Sequence, residues 1–168
     1  IVIPIIENQS ELERLKKFKG EIGIRVDLGV KIDAHFDKKF NHFGFSEDEL
    51  LKLGKIRNLS ILHYHLSCQI EKIKDFIIPL KRAINLYKIM RDKNPGLDTL
   101  DIGGGGGIPF EKKKHFYTGK SLISQIVKTA KKECDKLAIR HPNLIVEWGS
   151  YVSAPAQTFV NVIGDNLA

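Results

Sequence analysis

The feature that most limits the fold is a regular alternation of short apolar runs with segments of helical period. Apolar runs suited to strands lie at residues 1–6, 21–28, 59–66, 97–102 and 143–149. The segments of helical period between them lie at 10–18, 46–56, 70–93 and 118–140. Strands joined by helices through short connections predict parallel βα units, about five of them here. The strand runs are apolar on both faces, as buried parallel strands should be.

Local signals support the helices. Ser10 with Glu13, and Ser46 with Glu49, have the spacing of a capping box and predict two helix starts. Pro79 is expected at a helix start or kink. One stripe of the segment 118–140 consists of Leu122, Ile126, Ala130 and Cys134. That stripe predicts an amphipathic helix.

Polar residues concentrate where the predicted strands end. They are Arg25, Asp27, His63, His65, the glycines after residue 102, and Glu147. Two architectures fit, an open doubly wound sheet and a (β/α)₈ barrel, and both bind ligands at the carboxyl ends of their strands. Several different strands contribute here, which favours the barrel. The run 157–164 is strand-like without a preceding helix, so we expect it to belong to something else.

Composition narrows the class of protein. The 168 residues carry a net charge of +7, 42% hydrophobic residues and two cysteines. This length suits one domain with a core, and two cysteines are typical of a reduced, cytoplasmic chain. Lysines alternate with acids along helical faces, and no apolar run approaches the roughly 20 residues of a membrane span. We therefore expect no nucleic-acid partner and no membrane. The first residues, "IVIPII", have the pattern of a strand from the first position, so we expect this chain to be a segment of a longer protein.

Five consecutive glycines, Gly103–Gly107, follow the fourth strand run. Glycines between a strand and a helix let backbone N–H groups approach a phosphate closely. Neither common phosphate motif fits: no Lys-Ser or Lys-Thr follows, and Ile108 takes the last glycine position of a dinucleotide fingerprint counted from Gly103. A turn that needs positive φ is the alternative, but five glycines exceed what a turn requires. We expect a phosphate cradle.

Two further signals flank the glycines in the chain. His63 and His65 alternate, which places them on one face of a strand. They could be metal ligands, buried core histidines, or a surface that stacks on a planar ligand, and no third ligand has metal-site spacing. Glu147 closes an apolar run, and Gly149 then allows a tight turn. A buried acid needs a partner, either a structural arginine or a cationic ligand ring.

Taken together, the segments resemble a known family. These are "IGIRVDL" (22–28), "FGFS" (43–46), "LHYHLSCQI" (62–70), "LDIGGGGGIPF" (100–110) and "VEWGSYVSAPA" (146–156). They resemble, in order and spacing, the alanine-racemase-like barrel of the fold-type III decarboxylases that depend on pyridoxal 5'-phosphate (PLP). That family acts on arginine, ornithine and diaminopimelate. The resemblance is strongest to the biosynthetic arginine decarboxylases and covers nearly the whole chain.

The resemblance implies an α/β fold and a cofactor site. Residues 1–152 would be the C-terminal part of a TIM (β/α)₈ barrel that binds PLP, and 153–168 would start a C-terminal β-domain. His65 would stack on the PLP ring, Glu147 would pair with the pyridine nitrogen, and the first glycines would bind the phosphate. The implied site residues are Arg25, His65, Cys68, Gly103, Gly104, Gly105, Glu147, Gly149 and Ser150.

The sequence also departs from the family pattern. Ser67-Cys68 stands where the family has Gly-Ser, and Ser150 stands where it has a phosphate-binding arginine. Loss of that arginine predicts weaker phosphate binding. The family's Schiff-base lysine lies in an A-V-K-A-N-like stretch that this sequence does not contain, so we expect the isolated chain to be inactive.

The function implied for the parent protein is PLP-dependent decarboxylation of a basic amino acid. Arginine, converted to agmatine in polyamine biosynthesis, is the expected substrate, in a cytoplasmic homodimer or larger homo-oligomer. An ornithine or diaminopimelate decarboxylase is the alternative within the family, and a non-catalytic PLP-binding relative is another. An unrelated phosphate-binding α/β protein is the third reading, supported by the glycines alone.

Overall fold

A computed structural model describes residues 2–32, 43–108 and 117–153. Its strands are β1 (Ile5–Ile6), β2 (Ile22–Asp27), β3 (Phe45–Ser46), β4 (Leu59–His63), β5 (Thr99–Asp101) and β6 (Asn143–Ile145). Its helices are α1 (Gln9–Arg14), α2 (Glu47–Leu53), α3 (Lys74–Lys93), α4 (Gly119–Lys136) and α5 (Gly149–Ser153). No helix within these ranges is both long enough and apolar enough to cross a membrane.

All strand pairings of the sheet are parallel. The strand order is β1-β2-β4-β5-β6, and the short strand β3 pairs with β2 at Val26 and Asp27. The main path follows chain order without a reversal, whereas a doubly wound sheet reverses at its switch point. The predicted parallel α/β class is confirmed, and the monotonic order is that of part of a barrel.

The core lies between the sheet and the helices that cover it. Strand β4 is buried along its whole length, while β6 at the edge of the sheet is only partly covered. Helices α3 and α4 pack against each other. The predicted apolar stripe of α4 is confirmed, since Leu122, Ile126, Ala130 and Cys134 are all buried. These packed apolar faces hold the carboxyl ends of the strands in fixed relative positions.

Several local predictions need correction. Helix α1 is capped by Asn8, whose side chain accepts the N–H of Glu11, and not by Ser10. The Asn8–Glu11 pair has the same spacing as Ser10–Glu13, and the earlier pair forms the cap. The capping box of Ser46 is present as predicted.

Other boundaries also differ. Pro79, expected at a helix start or a kink, lies inside α3. The short strand β3, which the sequence did not predict, lies directly before α2. The predicted strand 157–164, and with it most of the predicted β-domain segment, lies outside the described residues.

Candidate functional site

The candidate site lies at the carboxyl ends of β2, β4, β5 and β6. Because parallel strands end on the same edge of a sheet, their following residues converge. Arg25 and His63 are direct partners in the register of β2 and β4, and His63 and Asp101 are partners in β4 and β5. Glu147 follows the end of β6 by two residues. Four strands thus contribute to one site, as the sequence predicted.

The glycine run after β5 requires glycine at its first three positions. Gly103 and Gly105 have positive φ, at +65° and +93°. A Cβ on Gly104 would lie 2.3 Å from the carbonyl oxygen of Glu147, and one on Gly105 would lie 2.0 Å from that of Ser67. A side chain cannot be placed at such distances, so these glycines let three segments of backbone come together.

The first two N–H groups of the run have acceptors within the protein. The Gly103 N–H donates to Asp101 Oδ1 at 2.9 Å. The Gly104 N–H donates to His65 Nδ1 at 3.3 Å, which places the imidazole of His65 directly against the glycines. His65 lies beyond the end of β4, so the predicted strand alternation of the two histidines does not extend to it.

The last N–H groups of the run are also bound. Tyr117 Oη accepts the Gly107 N–H at 2.7 Å and donates to the Ile70 carbonyl at 2.5 Å. Gln69 Oε1 accepts the Ile108 N–H at 2.8 Å. These contacts fasten the end of the run to the segment that follows β4.

The N–H groups of Gly105 and Gly106 remain. Among the described residues neither has an acceptor, although Gly106 is buried. Buried backbone N–H groups are almost always paired in native proteins, so two adjacent unpaired donors in a glycine run fit an anion such as a phosphate. Of the three glycines expected to bind phosphate, Gly105 has this property in the structure, whereas Gly103 and Gly104 donate to side chains.

A cluster of titratable groups lies beside the glycines. His63 Nδ1 is 3.3 Å from Asp101 Oδ2, and both side chains are buried. Ligand-type atoms of His63, Asp101 and Glu147 lie within 4.8 Å of one another. Burial, and secondarily the charge of Asp101, raises the pKa of the Tyr64 hydroxyl, so Tyr64 stays neutral.

No metal site was predicted from the sequence, and among the described residues His63, Asp101 and Glu147 have ligand atoms close enough to hold a metal ion. Asp101 Oδ1 already accepts the Gly103 N–H, so this carboxylate also stabilises the conformation of the glycine run.

Arg25, at the end of β2, has two side-chain partners. Its Nη1 is 2.7 Å from Glu7 Oε1, and its guanidinium lies 5.0 Å from the centre of the Phe43 ring. Its charge is paired with the Glu7 carboxylate, and its guanidinium packs on an aromatic ring.

The remaining predicted residues lie around this centre. Cys68 carries an exposed free thiol. Glu147 is exposed, and its N–H donates to the Gly103 carbonyl at 2.9 Å. Gly149, expected to allow a tight turn, is the first residue of α5, and a Cβ there would meet no atom of the described residues within 4 Å. Ser150 is the second residue of α5.

Three residues of the site were missed by sequence reasoning. Asp101 orients Gly103, and its signal was an acid directly before a glycine run at the end of an apolar strand. Tyr117 and Gln69 bind the end of the glycine run, but their side chains reach it only through the tertiary fold. No local pattern marks such contacts.

The chain matches a known family model over residues 1–154, described as the pyridoxal-binding domain of the pyridoxal-dependent decarboxylases. A biosynthetic arginine decarboxylase from Marinobacter nauticus is 29% identical over 96% of this chain and 29% of its own length. The chain therefore spans less than a third of that curated relative.

Solved structures of related enzymes have the same fold. The biosynthetic arginine decarboxylase of Campylobacter jejuni superimposes with a TM-score of 0.66 and 25% identity, over 88% of this chain and 26% of that one. A diaminopimelate decarboxylase from M. jannaschi gives a TM-score of 0.70 and 25% identity, over 88% of this chain and 38% of that one.

Proposed function

Because the chain belongs to the pyridoxal-dependent decarboxylase family, we propose that it is the cofactor-binding part of an enzyme that removes CO₂ from a basic amino acid. The observation that carries this proposal is the convergence of three groups at one sheet edge. These are the N–H groups of Gly105 and Gly106, which have no acceptor in the described part of the chain, the His65 imidazole against Gly104, and the Glu147 carboxylate beside Asp101.

The glycine run fits the phosphate of PLP. A Cβ on Gly105 would lie 2.0 Å from the Ser67 carbonyl, so only glycine allows this approach. The N–H groups of Gly105 and Gly106 would then donate to phosphate oxygens. A doubly charged phosphate is a strong acceptor for such donors.

The other groups fit the ring of the cofactor. His65 offers a flat imidazole whose Nδ1 is held by the Gly104 N–H. Glu147 offers a carboxylate that would accept a hydrogen bond from the protonated pyridine nitrogen. Arg25, paired with Glu7, lies at the end of β2 beside His63 in the strand register. PLP itself supplies an electron-accepting ring for the loss of CO₂ from a bound amino acid. By keeping the pyridine nitrogen protonated, Glu147 would make the ring a stronger electron acceptor.

We propose arginine as the substrate, with agmatine as product in polyamine biosynthesis. The names of the relatives support this choice. An ornithine or diaminopimelate substrate is the alternative, and the similarity to a diaminopimelate decarboxylase structure supports it. We further propose a cytoplasmic homodimer or larger homo-oligomer, with residues 1–152 in the barrel and 153–168 opening a β-domain. The family match to residues 1–154 supports that boundary.

The test uses the full-length gene product, freed of cofactor. PLP is added while visible absorbance is recorded, and CO₂ release is then measured from arginine, ornithine, lysine and diaminopimelate. We expect a new cofactor band and CO₂ release from arginine. No spectral change and no CO₂ release from any of the four would refute the proposal.

Matched variants test the role of Glu147. Glu147→Gln is expected to lower kcat/KM by about tenfold to a hundredfold, the range for loss of one charge-assisted hydrogen bond. Glu13→Gln removes an acid from the exposed surface of α1 and serves as the control. Equal activities of the two variants would exclude Glu147 as the partner of the pyridine nitrogen.

A second candidate function is a PLP-binding relative without catalysis. Ser150 favours it, because it stands where the family pattern has an arginine. Under this reading the cofactor band forms but no CO₂ is released. Ser150→Arg is then expected to raise PLP affinity by about tenfold or more, because a charge-assisted phosphate contact is worth about 1.5–3 kcal/mol. Unchanged affinity would show that this position does not contact the phosphate.

A further inference from the structure

We propose that His63 and Asp101 form a buried positioning pair that fixes Glu147 beside the cofactor. The inference rests on the proposed function, since it takes Glu147 as the partner of the pyridine nitrogen. His63 and Asp101 are the last residues of β4 and β5, and they are direct partners in the parallel register. Both are at most 6% exposed.

A short chain of hydrogen bonds connects Asp101 to Glu147. Asp101 Oδ1 accepts the Gly103 N–H at 2.9 Å. The Gly103 carbonyl in turn accepts the Glu147 N–H at 2.9 Å. The Asp101 side chain therefore fixes Gly103, and Gly103 in turn fixes the backbone of Glu147. Gly103 has φ +65° and a Cβ there would lie 2.6 Å from the Tyr64 carbonyl, so this residue has little room to adjust.

The cluster brings the carboxylates of two acidic residues together beside His63. The carboxylates of Asp101 and Glu147 belong to a group whose ligand atoms lie within 4.8 Å of one another. Two carboxylates so close repel each other, and burial of one increases the repulsion. His63 Nδ1 lies 3.3 Å from Asp101 Oδ2 without the geometry of a hydrogen bond. The His63 imidazole thus packs against the buried Asp101 carboxylate and limits its movement.

Packing alone does not account for this pair. Buried polar groups in place of apolar ones rarely add stability, because their desolvation offsets their attraction. Leu62 and Leu100, the neighbouring register partners, are fully buried and apolar. The polar pair occurs only where the two strands end at the glycines, which indicates a role in the site.

The test uses the full-length gene product without cofactor. Backbone amide exchange at Gly103 and Glu147 is measured in the wild type and in Asp101→Asn, which preserves the shape of the side chain. We expect exchange at both amides to rise by about tenfold, because a neutral acceptor holds the Gly103 N–H less strongly. The amide of Ile126 in α4 serves as the internal reference and should not change.

A second His–Asp pair provides the matched control. His141 Nε2 lies 2.7 Å from Asp135 Oδ1 on the exposed surface. Asp135→Asn makes the same chemical change there and should leave exchange at Gly103 and Glu147 unaltered. Exchange at those amides that is unchanged in Asp101→Asn, or that rises equally at Ile126, would overturn the inference.

A spectroscopic measurement separates a positioning role from a structural one. With PLP bound, we expect Asp101→Asn and His63→Phe to shift the cofactor band in the same direction as Glu147→Gln. We expect His63→Gln, which keeps a polar side chain, to give a band closer to that of the wild type. A wild-type band in all His63 and Asp101 variants would refute the positioning role. Because the exchange experiment needs no cofactor, absence of PLP binding by the wild type would refute the proposed function without affecting that result.

Discussion

Replacing Gly104 with alanine tests how closely the glycine run approaches the segment that carries Glu147. The new Cβ would lie 2.3 Å from the Glu147 carbonyl oxygen, whereas ordinary contacts begin near 3.4 Å. The backbone of one segment must therefore move by about 1 Å. The φ of Gly104 is not in the left-handed region, so the effect of the substitution is steric.

The expected loss follows from this displacement. Forcing an extra methyl group into a well-packed region typically costs about 1–3 kcal/mol. A change of that size corresponds to about fivefold to 150-fold in an equilibrium constant. Since the same displacement moves Glu147 and the neighbouring donors of Gly105, we expect PLP affinity to fall by a factor in this range.

Urea unfolding and PLP titration of the full-length protein measure both effects, and Gly149→Ala is the matched control for unfolding. A Cβ on Gly149, which opens α5, meets no atom of the described residues within 4 Å. Alanine favours a helix over glycine by up to about 1 kcal/mol, so this variant should be as stable as the wild type or more stable. Wild-type stability and affinity in Gly104→Ala would refute the close approach of the two segments.

Three further predictions concern the scaffold. Leu122 of α4 is buried, so Leu122→Ala should lower the free energy of unfolding by about 2–5 kcal/mol. Val127 of the same helix is half-exposed, so Val127→Ala should lower it by less than about 0.5 kcal/mol. Equal losses in the two variants would contradict the packing of α4. Hydrogen bonds from Ser46 lower the pKa of Glu49 below its usual 4.5. The stabilisation of α2 by ionised Glu49 is therefore present above about pH 4.5 and is lost as the pH falls through the lowered pKa. A stability difference between the wild type and Glu49→Gln that does not shrink in acid would contradict this. Burial raises the pKa of the Cys134 thiol, so a thiol reagent should modify exposed Cys68 at once and Cys134 only on unfolding, and simultaneous modification would exclude this packing.

The sequence predicted what local interactions decide. The spacing of Ser46 and Glu49 was enough to place the start of α2, because both partners of a capping box lie within one turn. The period of the apolar residues placed the buried stripe of α4. The alternation of strands and helices predicted parallel pairing, because antiparallel neighbours do not need a helical connection.

Tertiary contacts decided the rest. The cap of α1 was misplaced because Asn8–Glu11 and Ser10–Glu13 have the same spacing, and only the folded chain selects between them. The strand predicted over 143–149 was four residues too long, since β6 at the sheet edge ends at Ile145 and Glu147 lies beyond it. The partnership of His63 with Asp101 depends on the register of two strands separated by a helix, which no local pattern encodes.

The glycine run has a consequence for the thermodynamics of binding. Glycine has the greatest conformational freedom of any residue in an unfolded chain, and five consecutive glycines would ordinarily form a flexible loop. Here Asp101 holds the start of the run and Tyr117 holds its end, while Ile70 pairs with Gly106 between them. The entropy of ordering these residues is therefore lost when the protein folds, before any ligand arrives. An anion then meets donors that are already aligned, and Tyr117→Phe would weaken its binding through entropy without removing a single contact to it.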